Sequence, residues 1–192
     1  MARPTKRGKA IDKWKLKKRF EVVAPEIFNN VPVGPIFARE AAALEGRTVY
    51  TTLSKLVNSN QHHIKIKLRV TGTQGFTALT MVKEVELARA YINSQTSVGR
   101  ETIENVVDVI TTDGRKVRIK TIIFTKKKCH SDQKKALRKL AEELIRTGVR
   151  KMDYDRLVQE VVFGKLGSLI FNKGKKIVPI SRVEIRKLEL LS

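Results

Sequence analysis

Apolar positions along the chain follow two different periods, and the order in which the periods change predicts the architecture. From Phe20 onward the pattern is mostly that of strands. Residues 20–24 form a short β-rich run stopped by Pro25, and Asn29-Asn30-Val31-Pro32-Val33-Gly34-Pro35 is dense in turn formers. Residues 47–53 are rich in β-branched and aromatic side chains and read as a strand. The next segment alternates cleanly, with Ile64, Ile66, Leu68 and Val70 on one face and Lys65, Lys67 and Arg69 on the other. A connection over 71–75 joins it to a further strand at 76–85, and Leu87, Ala90 and Tyr91 then give a short helix over 86–94. Residues 103–112 and 115–125 are two β-rich runs joined by Asp113-Gly114, a dipeptide suited to a type I′ hairpin turn.

After that hairpin the period lengthens. Ser131 is placed to cap a helix with the stripe Leu137, Leu140, Ala141, Leu144 and Ile145, ending at Gly148. Asp153 is placed to cap a second helix with Leu157, Val158, Val161 and Val162 inward. Residues 164–176 hold three glycines and read as a loop, and 177–191 return to strand. No internal repeat is visible. Strands first, then a helix pair, then a last strand predict an α+β fold whose mainly antiparallel sheet curls into a barrel-like form. The expected organisation is a basic arm over 1–19 and one α+β domain over 20–192.

Charge adds a partner to this picture. The 192 residues carry 40 Lys plus Arg against 19 Asp plus Glu, a net +21. Such a field repels itself and draws polyanions, yet 41% of residues are hydrophobic, enough for a buried core. The first 20 residues hold nine basic side chains (Arg3, Lys6, Arg7, Lys9, Lys13, Lys15, Lys17, Lys18, Arg19) and one acid, Asp12, so the arm accounts for +8 and the body for +13. The longest uncharged stretch, 70–82, has 13 residues with two glycines, short of the ~18 apolar residues of a spanning helix. The N-terminus lacks an apolar signal region, and the single Cys129 cannot form an internal disulfide, so a reducing cytosol fits.

Three basic constellations outside the arm are candidates for nucleic-acid binding. Alternate strand residues lie ~6.6 Å apart on one face, comparable to the phosphate repeat of an extended strand. Lys65, Lys67 and Arg69 form one such row; Lys116, Arg118 and Lys120 form another. A solvated outer sheet face is the plain alternative for either row alone; two all-basic rows in so cationic a chain favour binding. Third, Lys126, Lys127, Lys128, Lys134, Lys135, Arg138 and Lys139 surround the expected helix start, with Glu142 and Glu143 beyond. The macrodipole favours the reverse order, so the cluster reads as an anion site rather than a folding device.

Other chemistry is thinly supplied. Eleven aromatics lack the strand pattern of a base-stacking RNA module; Trp14, between Lys13 and Lys15, either stacks on a base or docks on the body. His62 and His63 are adjacent and would face opposite sides of a strand, which leaves them unable to chelate one metal together. Cys129-His130 lacks a third orienting group, Asp113 is explained by the turn, and Gly72 with Gly75 separates strands without a phosphate-loop lysine. These residues give no enzyme, cofactor or metal site.

Lys13-Trp14-Lys15 through Phe20-Glu21-Val22-Val23-Ala24-Pro25 and Phe28, Leu44 through Gly46-Arg47 and Leu53, Thr111-Thr112-Asp113-Gly114 through Phe124-Thr125-Lys126-Lys127, and Val183-Glu184-Ile185-Arg186-Lys187 occur in this order. With these motifs, spanning residues 13 to 191, the chain resembles the S3Ae family of archaeal and eukaryotic small-subunit ribosomal proteins. The resemblance implies a non-catalytic, cytoplasmic ribosomal component on the small-subunit platform, near the 3′ end of the rRNA and the mRNA exit. It implies rRNA, neighbouring platform proteins and mRNA at the exit as partners, no membrane and no homo-oligomer. By the same resemblance Lys13, Trp14, Lys15 and the 124–127 stretch face rRNA. The end at Ser192, without the eukaryotic C-terminal extension, points to an archaeal member, and Gly99 departs from the bulkier, more basic family pattern at that stretch. The alternative from another class is a chromatin-type protein that coats duplex DNA without sequence preference.

Overall fold

The segments of period two become strands, and their pairing is set by which face each must bury. In the computed structural model, which describes residues 14–191, the elements are β1 (Lys18–Val23), β2 (Pro32–Ala38), β3 (Thr48–Thr52), α1 (Leu53–Val57), β4 (Ile64–Gln74), β5 (Thr77–Leu87), α2 (Arg89–Gln95), β6 (Thr102–Ile110), β7 (Lys116–Thr125), α3 (Ser131–Val149), α4 (Tyr154–Val162), α5 (Lys165–Gly174) and β8 (Ile180–Leu190). The eight strands form one α+β sheet in the order β2-β1-β5-β8-β7-β6, with β4 between β5 and β3. Every pairing is antiparallel except β1 with β5.

The expected curl does not close into a barrel. β5 gives one edge to β4, while its other edge is shared, with β1 at Thr77, Ala78 and Leu79 and β8 at Glu84, Val85 and Glu86. The sheet therefore branches at β5, and β2, β3 and β6 each keep a single strand partner among the described residues.

Four local expectations are corrected. The connection placed at 71–75 is mostly strand: Thr73 pairs with Ala78 and Gln74 with Thr77, so the turn shrinks to Gly75, at φ 61°, and Phe76. Asp113-Gly114 is not a type I′ turn, because only Gly114 has a positive φ, 74°. Gly114 N–H instead donates to Thr111 O at 3.0 Å and Thr111 N–H to Arg115 O at 3.1 Å, a three-residue loop with glycine in the left-handed position. Asp113 is thereby freed to cap α4, accepting from Tyr154 N–H at 3.0 Å, while Asp153 accepts from the Thr112 hydroxyl. At α3 the capping contact likewise passes from Ser131 to its neighbours, with His130 N–H donating to the Gln133 side chain at 3.1 Å.

The largest correction is α5, where a loop was expected. Leu166, Gly167, Ile170 and Gly174 are its buried face, a helical stripe in which Gly167 leaves no room for a side chain against backbone and Gly174 sits against the side-chain ends of Ile180 and Leu137. A Cβ on Gly167 would lie 2.8 Å from Val183 O, and one on Gly174 2.7 Å from Ile180 Cδ1. Here glycine records close packing of α5 against β8.

The principal core lies between the inner face of the sheet and α3, α4 and α5. Leu137, Ala141, Ile145 and Val149 of α3 and Leu157 and Val158 of α4 meet Ile66, Val107, Ile119 and Ile123 in one buried cluster. Tyr154 is fully buried there and donates to Val82 O at 2.9 Å; burial raises its hydroxyl well above the ordinary range, so it keeps its proton. A smaller cluster of Phe20, Val22, Ala38, Leu44, Val70 and Ala78 fixes β1 and β2. No helix among the described residues is long and apolar enough to cross a membrane.

Candidate nucleic-acid interface

With the inner face committed to the core, the outer face of the sheet carries the two strand rows. They do not form one basic field. The central positions fall on a single line across the sheet, Tyr50 (β3), Lys67 (β4), Glu84 (β5), Glu189 (β8), Arg118 (β7) and Asp108 (β6), each in direct register with the next. Opposite charges on neighbouring strands attract, and the line is stitched accordingly. Lys67 Nζ lies 3.9 Å from Glu84 and 4.9 Å from the Tyr50 ring centroid. Arg118 donates to both Asp108 oxygens, at 2.7 and 2.8 Å, which holds the Asp108 carboxyl below its usual range. Lys187, from β8, bridges Glu84 at 2.9 Å and Glu189 at 3.4 Å.

The middle cation of each row is therefore held inside the protein's own ion-pair ladder. Lys65, Arg69, Lys116 and Lys120 have no carboxylate partner among the described residues. The acids that divide the rows come from the neighbouring strands β5, β6 and β8 and are set beside Lys67 and Arg118 by register, so inspection of one strand at a time misses them.

The cluster at the start of α3 divides in the same way. Lys134 pairs with Glu101, Lys135 lies 3.8 Å from Asp132, and Arg138 Nε donates to Glu104 O at 3.2 Å. Folding does use Lys134 and Arg138, contrary to the expectation from the helix dipole. Lys126, Lys127, Lys128 and Lys139 are exposed and without a carboxylate partner among the described residues. Their loop is pinned from beneath. The buried Thr125 hydroxyl accepts from Glu101 N–H at 3.0 Å and donates to Lys127 O at 2.7 Å, Lys126 N–H donates to Pro179 O at 2.9 Å, and Cys129 is buried just beyond. Three lysines thus project from a fixed backbone.

Of the arm, Arg3, Lys6, Arg7, Lys9 and Lys13 lie outside the described residues. Trp14 both docks and stays open: its ring centroid is 5.9 Å from that of Phe37, Lys17 Nζ lies 3.9 Å over it, and it remains 61% exposed. Lys15 and Lys17 are exposed beside it, and Lys18 and Arg19 are exposed in β1. Phe37, Tyr50 and Phe76 are exposed as well. The sequence did not mark these three aromatics, although Phe76 after Gly75 at a hairpin tip is a readable signal.

The residues considered for catalysis have structural places. His63 stacks on Tyr91 at 4.0 Å, and the Tyr91 hydroxyl donates to Glu184 at 3.3 Å. His130 flanks the start of α3. No three His, Cys, Asp or Glu side chains among the described residues are grouped to hold a metal ion.

Fold and surface together define a class: an α+β protein whose polar surface displays unpaired cations on rigid elements. Comparison with known proteins makes this specific. The model of the Ribosomal S3Ae family matches residues 5–192. Small ribosomal subunit protein eS1 of Archaeoglobus fulgidus is 40% identical, over all of this chain and 92% of its own length. The protein of that name in Ignicoccus hospitalis is 39% identical over 97% of this chain and 89% of its own, and that of Staphylothermus marinus 36% over 98% and 90%. The chain belongs to the ribosomal S3Ae family, whose members are structural proteins and not enzymes.

Proposed function

We propose that the chain is a structural constituent of the small ribosomal subunit that binds rRNA on the platform, near the rRNA 3′ end and the mRNA exit, and supports subunit assembly. It acts in the cytoplasm as part of the ribosome, beside other platform proteins and as a single copy. The observation that carries this reading is the likeness along the whole chain to proteins named for the small subunit.

The geometry supplies a mechanism. Phosphates are met by cations that folding leaves unused: Lys126, Lys127, Lys128 and Lys139 at the α3 start, Lys65 and Arg69 on β4, Lys116 and Lys120 on β7, and the arm. Residues 1–19 serve as the contact arm and 20–192 as the body. Lys67, Arg118, Lys134 and Arg138 contribute by holding the surface in shape, since each has a partner at home, while Lys135, exposed and only 3.8 Å from an exposed Asp132, joins the cations open to phosphate.

Binding of the full chain to an rRNA fragment tests this as salt is varied. Eight of these body cations alone, each on a phosphate, give a log–log slope of roughly −6 to −7. Replacing Lys126, Lys127 and Lys128 together by Gln makes the slope shallower by about 2 to 3 if all three meet phosphates, while Lys67→Gln changes it little. A slope unchanged by the triple replacement overturns the assignment, and equal affinity for duplex DNA of any sequence favours a chromatin-type role instead.

A further inference from the structure

We propose that the open edge of β6 is a docking site for an extended segment of a partner protein in which acidic and apolar side chains alternate. Among the described residues three strands have an open edge, and two are blunted by devices that discourage pairing. β2 carries Pro32 and Pro35, and β3 has only five residues. β6 has nine residues, Thr102–Ile110, with neither proline nor lysine.

Hydrogen-bond parity fixes what that edge presents. Thr125 N–H donates to Glu101 O at 2.9 Å and Thr111 N–H to Arg115 O at 3.1 Å. Pairing is continuous between these bonds, so the odd-numbered residues of β6 bond to β7 and the even-numbered ones turn N–H and C=O outward. Glu104 O is taken by Arg138. The outward backbone groups of Val106, Asp108 and Ile110 have no backbone partner among the described residues.

The side chains flanking this edge specify the occupant. On the outer face Val106 and Ile110 are each 54% exposed, on either side of an Asp108 already neutralised by Arg118, with exposed Leu191 beyond. On the inner side α3 places Arg138, Glu142, Arg146 and Arg150 at intervals of four, one row along the helix. Arg150 and Lys116, with an Arg146 already held by Glu142 at 2.9 Å, border a hollow of about 340 Å³ lined also by Asp108, Val109, Ile110 and Leu191. A strand laid on β6 directs alternate side chains to the two sides: apolar residues beside Val106 and Ile110, acids beside Arg150 and the Arg146 it would share with Glu142. This is strand addition, with main-chain bonds for affinity and flanking side chains for specificity.

RNA fits this edge less well than a strand does, since no regular nucleic-acid backbone presents N–H and C=O groups alternating at strand spacing to match the open groups of Val106, Asp108 and Ile110. A second copy fits poorly too, because a two-fold edge pairing brings the two arginine rows together, in a chain of +21.

The test uses the full chain and a fluorescein-labelled ten-residue peptide alternating glutamate and valine, read by anisotropy and by amide hydrogen exchange. The expected result is saturable binding that slows exchange at Val106, Asp108 and Ile110, with at least tenfold weaker binding of a peptide of the same composition in two blocks. Val106→Pro, which removes an outward N–H and spares the β7 ladder, should weaken binding at least tenfold. The surface pair Arg146→Glu and Arg150→Glu should do the same and keeps the test valid if Val106→Pro does not fold. Equal binding of alternating and block peptides, binding untouched by the charge reversal, protection at other residues, or dimerisation that protects these amides without peptide each overturn the proposal.

Discussion

Replacing Gly167 by alanine separates close packing from loop freedom as the reason for the glycines in α5. A helix interior ordinarily welcomes the change, by up to about 1 kcal/mol. At Gly167, however, the new Cβ would stand 2.8 Å from Val183 O and 3.6 Å from Val183 C, both backbone atoms of a paired strand that cannot rotate away. Restoring an ordinary contact of about 3.4 Å or more requires α5 and β8 to separate by over half an ångström, and overpacking of this kind costs about 1–3 kcal/mol. The net expectation is a loss of about 1–2 kcal/mol, or a fall in melting temperature of roughly 3–6 °C for a chain of this size. Gly148→Ala in α3 is the internal control, because its Cβ would meet only Leu166 Cδ2 at 3.9 Å, and it should raise the melting temperature. Circular-dichroism melts of the two variants decide the matter. If Gly167→Ala stabilises as much as Gly148→Ala, the close approach of α5 to β8 is wrong.

Three further outcomes are expected. Thr125→Val keeps the shape of a buried residue but strands Glu101 N–H and Lys127 O; it should cost about 1–3 kcal/mol in chemical denaturation and weaken RNA binding, through the loosened 126–128 loop, by more than its stability loss explains. Tyr154→Phe removes the buried donor to Val82 O and should cost about 1–2 kcal/mol, and a neutral result would remove that bond from the account. Because Arg118 lowers the native pKa of Asp108, the stabilisation from this pair is complete above the unfolded carboxylate range near pH 4 and disappears as pH falls through the lowered native value. Melting temperatures of the wild type and Asp108→Asn should therefore converge as pH drops below about 4, whereas a constant gap contradicts the pair.

Local periodicity carried much of the fold. The alternation at 64–70 and the stripe of Leu137, Ala141 and Ile145 reappear as β4 and α3 because each segment buries the face its own residues define. What was hidden depended on distant neighbours. Gly167 and Gly174 look like loop residues until Val183 and Ile180 are seen against them. Asp113 looks like a turn residue until Tyr154, 41 positions later, donates to it. The branch at β5 likewise arises because two strands share one edge, which no single segment reveals. At the interface, the charge of the rows was legible and its neutralisation was not, since Glu84 meets Lys67 and Asp108 meets Arg118 only through strand register.

On the proposed reading the cationic surface builds the chain into the small subunit rather than merely attracting it to nucleic acid. Sedimentation of the tagged full-length chain through a sucrose gradient, from cells of an archaeal relative lysed in moderate salt, separates the two. The chain should travel with small-subunit particles and leave them only when their RNA is digested or the salt is raised steeply. A chain found with the nucleoid, or at the top of the gradient while the small-subunit particles stay intact, would contradict that reading.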